Sequence, residues 1–188
     1  QRWQEITREY LQKHRSRTPL FHELGQEFLL FLQEEFEPIE SDPPFLLEMA
    51  HYEWVELAVS IEPKEGIQND LPLQASLDAC YRLSPLAWPL IYEWPVNQIS
   101  EAFQPQQKPE LPTTLLVLRD EEGQVQFLAL SPVLYEMIQM IAHEPESSVR
   151  EHLQNLAEHI GQPVEMLEGF ALEILEDLLA QNIIGPVA

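Results

Sequence analysis

The sequence predicts an α+β protein, an N-terminal helical bundle followed by a small antiparallel sheet plus three-helix (winged-helix-like) domain. Three observations predict it. Apolar residues in the first third recur at helical spacing. Between residues 87 and 130 the chain becomes rich in aromatic and branched residues and contains a hairpin pattern. From residue 131 onward helical spacing returns. Strands and helices are thus segregated along the chain rather than alternating, the mark of α+β architecture. The expected organisation is a helical domain at 1–62, a linker at 63–83 and an α+β domain at 84–188.

Residues 1–14 read as a first helix, with Trp3, Ile6, Tyr10 and Leu11 on one stripe. Thr18-Pro19 breaks it. A second helix is expected over 21–36, with Phe21, Leu24, Phe28, Leu29, Phe31, Leu32 and Phe36 as a broad apolar face. Asp42 stands where an N-cap belongs and Pro43 where a helix begins. The third helix then runs from Phe45 to Glu62, apolar on nearly every side and therefore expected at the centre of its bundle. Pro63, Gly66, Asn69, Asp70 and Pro72 mark the linker. Residues 87–96 read as a strand whose prolines suit an edge or a bend. Residues 113–119 and 124–130 flank the turn 120–123 as a β-hairpin, with Gly123 supplying positive φ. Ser131 caps the next helix with Pro132 at its first position. Ser147 or Ser148 caps another, which ends at Gly161. The last helix spans 164–180, and the tail 182–185 can add a short strand.

Charge narrows the function classes. The chain has 188 residues and a formal net charge of −22. Residues 1–62 hold 5 Lys/Arg against 13 Asp/Glu, and residues 84–188 hold 3 against 16. Affinity for duplex DNA comes mainly from Lys and Arg neutralising phosphates, and neither half carries a basic patch large enough for that. The one small positive cluster is Arg8, Lys13, Arg15 and Arg17. No window reaches 18 uninterrupted apolar residues, so no membrane-spanning helix and no membrane partner is expected. The single cysteine, Cys80, cannot form an internal disulfide, and a cytoplasmic location is expected.

Motifs for catalysis are sparse. Glu48 and His51 form the one E-x-x-H, a pair that shares a helix face as in di-iron bundles. A di-iron site needs a second such pair, which the sequence lacks, so His51 reads either as a ligand or as a hydrogen-bonded packing residue. Glycine-rich phosphate loops, nucleophile elbows and C-x-x-C pairs are absent. No catalytic residue, metal site or cofactor is expected. The third helix also carries Tyr52, Glu53, Trp54 and Glu56 among apolar neighbours. Buried carboxylates are costly unless paired, so these meet an Arg inside the bundle or face a partner. The partner-surface candidates are Asp42, Pro44, Phe45, Glu48, His51, Tyr52, Glu53, Trp54 and Glu56. A small sheet has an open edge that can accept an extended peptide, with the helix 164–180 as one wall. The peptide-binding candidates are Trp88, Tyr92, Trp94, Val125, Phe127, Phe170 and Ile174, and the aromatics among them also suit a core.

Three stretches resemble the HvfC-like family: DPPFLLEMAHYEWVELAVSIE at 42–62, LSPLAWPLIYEWPVNQI at 83–99 and TTLLVLRDEEGQVQFLALSPV at 113–133. The resemblance runs in order across essentially the whole sequence. It implies a non-catalytic partner of a multinuclear non-haem iron oxidase that modifies cysteines of a ribosomally made precursor peptide. It implies that this chain helps bind the Cys-containing precursor, while the iron and the chemistry belong to the oxidase. The second half is similar in element order to the PqqD-like peptide-recognition fold. Full-length family members carry a further helical segment before the position of Trp3, long labelled a DNA-binding domain, and this sequence is expected to lack it. The alternatives are a DNA-binding transcriptional regulator, which needs a basic recognition helix, and a metalloenzyme built on Glu48 and His51. The helix 164–180 carries Glu165, Glu168, Glu173, Glu176 and Asp177 with no Lys or Arg, the wrong sign for a phosphate surface.

Overall fold

Six α-helices and two small antiparallel sheets make up the computed structural model, which describes residues 2–14, 18, 20, 23–69 and 73–187. The helices are α1 (Arg2–Lys13), α2 (Leu24–Glu34), α3 (Leu46–Ser60), α4 (Pro132–His143), α5 (Val149–Ile160) and α6 (Val164–Ala180). The strands are β1 (Tyr81–Leu83), β2 (Ala87–Tyr92), β3 (Thr113–Arg119), β4 (Val125–Ala129) and β5 (Ile184–Pro186). The α+β class expected from the sequence is what the chain forms. Its contacts group into two compact units. The first holds Gln1–Ala58 and the excursion Tyr92–Thr113 between β2 and β3. The second holds Val59–Ile91 and Thr114–Ala188.

In the first unit, α1 and α2 bury Ile6, Tyr10, Phe31 and Leu32, with Phe28 and Phe36 packed against them. The α1 stripe is narrower than its sequence suggests. Ile6 and Tyr10 are buried, whereas Leu11 and Trp3 are exposed, Trp3 making a T-shaped contact with Phe28. The α2 helix starts at Leu24, and the expected start at Phe21 and His22 lies outside the described residues. Helix α3 buries Val55 and Val59 completely but leaves Leu47 and Leu57 exposed, so its all-round apolarity does not translate into all-round burial. Gly25 is required by a close approach, because a Cβ there would sit 2.7 Å from Cδ1 of Trp54.

The second unit has the larger core. Leu116 and Leu118 of β3, Met137, Ile138 and Ile141 of α4, Leu153 and Leu156 of α5, and Leu175 and Leu179 of α6 pack in one cluster. The sheet runs in the order β2-β3-β4. Its centre, β3, is buried on both faces from Thr114 to Leu118, which accounts for its unbroken apolar run. The β3–β4 hairpin pairs Leu115 with Ala129 and Arg119 with Val125. Gly123 turns it at φ 79°, as expected. Strand β2 stops at Tyr92, and Trp94 and Pro95 leave the ladder. The second sheet joins β1 to β5, with Tyr81 opposite Pro186 and Leu83 opposite Ile184. Strand β1 falls inside the expected linker, whose residues Ile67, Ala75 and Leu77 are buried. Asn69 fastens the same segment by donating to the carbonyls of Leu179 and Ile184 at 2.8 Å each.

Candidate functional site

Helix α3 and the residues just after β2 form the first candidate region. The Glu48 carboxylate accepts the backbone N–H groups of Glu93 at 3.1 Å and Trp94 at 2.9 Å. His51, one turn later, places Nδ1 2.9 Å from the Tyr92 hydroxyl. Phe45 meets Trp94 edge to face at 6.0 Å, and Tyr52 meets Tyr92 at 6.2 Å. Glu48 and His51 thus share a helix face as the sequence required, but that face clamps residues 92–94. Burial lowers the His51 pKa, with Glu48 opposing, and raises the Tyr92 phenol well above its ordinary value. Both groups are neutral at pH 7. Glu48 is held by backbone donors, while Glu53 and Glu56, the carboxylates expected to meet an Arg or to face a partner, are exposed. Among the described residues no group of three or more His, Cys, Asp or Glu is arranged to hold one metal ion.

Asp42 does not cap α3, which begins at Leu46. Its carboxylate pairs with the Arg2 guanidinium at 2.6 and 2.7 Å and accepts the Ile39 N–H at 2.9 Å. The hydrogen bond from Arg2 holds Asp42 below the usual carboxylate range. The turn that opens α3 instead rests on the Pro43 carbonyl, which accepts from Leu46 N–H. Of the other partner-surface candidates, Pro44, Glu53 and Glu56 are exposed, and Trp54 is half-buried beside Gly25 and His51.

The peptide-binding candidates divide between the units. Tyr92 and Trp94 are buried packing partners of α3 in the first. In the second, Trp88 is half-buried and donates its indole N–H to the Pro85 carbonyl at 2.9 Å. Val125 and Phe127 are half-buried on β4, alternating with exposed Gln126. Strand β4 ends the sheet order, so among the described residues a strand flanks it on one side only. Phe170 and Ile174 come together in an apolar groove of about 330 Å³ between α4, α5 and α6.

That groove is the second candidate region, and sequence reading found half of it. Its α4 wall is Val133, Leu134 and Met137, at i, i+1 and i+4, a spacing that puts them on one helix face. Leu153 and Leu156 form its floor. Phe170, part of its lining, remains 66% exposed. A larger polar cavity of about 970 Å³ lies beside Pro63–Gln68, Arg119 and Asn182. Arg119 is already engaged there, donating to the carbonyls of Val59, Ser60 and Glu62, all within the second unit.

No helix among the described residues is long and apolar enough to cross a membrane. No curated protein matches the chain. Residues 84–179 match the family model described as the HvfC C-terminal domain.

Proposed function

Because the chain belongs to the HvfC family, we propose that it is a non-catalytic partner protein that binds a multinuclear non-haem iron oxidase and presents a Cys-containing precursor peptide to it. The observation that carries the peptide part is a strand with a neighbour on one side only, β4, inside the matched segment, which also carries the exposed Phe170 of α6. A strand with one neighbour offers main-chain donors and acceptors to an extended chain, and exposed apolar side chains supply further affinity. The oxidase contact is assigned to the exposed residues of the α3 region, Pro44, Glu53 and Glu56. The other α3 candidates have internal partners that shape this surface.

The DNA-binding alternative finds no support in α6. All five of its charged residues are acidic, and a phosphate-facing helix needs the opposite sign.

The test is co-expression of the tagged chain with such an oxidase and its precursor. The oxidase should co-elute, and the precursor should bind the pair at micromolar concentration or better. Failure of both to bind at that concentration removes the reading.

A further inference from the structure

We propose that the α4–α5–α6 groove takes a basic amphipathic segment, with apolar anchor side chains flanked by Lys or Arg, a refinement that rests on the peptide-binding reading above. The groove interior is apolar, lined by Leu134, Met137, Leu167, Phe170 and Ile174 with little polar surface. Its volume of about 330 Å³ lies at the low end of ligand pockets and suits a few side chains. Apolar lining alone does not choose an occupant. The rim does.

Glu136 stands three positions after Val133, Glu173 three after Phe170 and Asp177 three after Ile174. On a helix such pairs are surface neighbours, so each acidic residue flanks a lining residue, and all three are exposed. The wider surface has the same sign. Residues 131–180 hold ten Asp/Glu and one Lys/Arg. That one cation, Arg150, is already paired with Asp78 at 2.6 Å and with Glu168. A second copy of the chain would bring like charge to this rim and is disfavoured. An acidic peptide is disfavoured for the same reason. A segment with cationic flanks gains attraction at the rim while its anchors leave water in the groove.

The experiment measures fluorescence anisotropy of labelled synthetic peptides, about twelve residues long, with the whole chain. One peptide carries Leu and Phe anchors between Lys and Arg flanks. A second keeps the anchors between Glu flanks. A third keeps the basic flanks with Ser in place of the anchors. At low salt the first should bind at least roughly tenfold more tightly than either of the others, and its margin over the second should shrink as salt is raised. Phe170→Ser should weaken the first peptide roughly five- to tenfold, and because Phe170 is largely exposed the melting curve should stay in place. Glu173→Lys with Asp177→Lys should abolish the preference for basic flanks. Equal binding of basic- and acid-flanked peptides overturns the inference, as does equal binding without anchors or indifference to Phe170→Ser. If the oxidase and precursor assemble with the chain while no flank preference appears, this inference fails and the partner reading stands. If the preference appears and neither the oxidase nor the precursor associates, the partner reading fails alone.

Discussion

Glu48 shows how one side chain holds two sequence-distant stretches together. Its two oxygens serve the N–H groups of Glu93 and Trp94, residues 45 and 46 positions away. Neither N–H has a strand or helix to bond to at that point, because β2 has just ended at Tyr92. Removing the carboxylate leaves the part-buried Trp94 N–H unmet, which costs about 1–3 kcal/mol, while the exposed Glu93 N–H can turn to water. Glu48→Ala should therefore lower stability by about 1–3 kcal/mol in urea denaturation. Glu48→Gln keeps one acceptor oxygen and should lose distinctly less. Equal losses for the two would show that the clamp is not made by hydrogen bonding. The sequence made Glu48 and His51 conspicuous through their spacing. It could not reveal that their common face meets a backbone turn, because that turn lies in a different part of the chain.

At the scale of elements, helix ends were the most legible features. Ser131 accepts from Leu134 N–H at 3.2 Å, as its place before Pro132 implies. Ser148 and Glu151 form a reciprocal capping box at the start of α5. Gly161 closes α5 in the left-handed conformation. Local chemistry decides these ends, so local sequence displays them. Ser148→Ala should cost about 1 kcal/mol of stability, seen as an earlier thermal midpoint with the helical circular-dichroism signal of the folded state retained. A shift no larger than that of Ser147→Ala would contradict the assignment. Strand β1 was not legible, because its three residues pair with β5, and Tyr81 finds Pro186 more than a hundred positions away. Helix α3 begins at Leu46, one residue from the expected Phe45, but the expected cap is not made, for a related reason. Asp42 has every local property of a cap, yet Arg2, forty positions earlier, takes its carboxylate.

On the scale of the whole molecule, acid stability should fall in two steps. His51 in one unit and His152 in the other are held below the ordinary histidine value of 6.5, chiefly by burial. Neither ring nitrogen of His152 has a well-formed hydrogen bond, and the residue is 1% exposed. Folding therefore favours the neutral rings. Stability is full above about pH 6.5 and declines as pH falls from there toward the folded values. Asp42 and Asp78, lowered by Arg2 and Arg150, add a second loss below the ordinary value of 3.8. Thermal midpoints measured from pH 8 to pH 5 should drop in the first window, and His152→Leu should flatten that drop; an unchanged slope would refute the role of His152. The sequence by itself determined the α+β class, the hairpin, the caps of α4 and α5 and the acidic charge, and the family through the resemblance of three long stretches. The class, hairpin, caps and charge follow from composition, periodicity or local hydrogen bonding, which act over a few residues. Only the tertiary structure decided that Tyr92 and Trp94 are packing residues, that Glu48 binds backbone, and that Phe170 and Ile174 share a groove with α4. Those outcomes depend on which distant segments meet, and burial and pairing between them are set by the packed chain rather than by any local pattern.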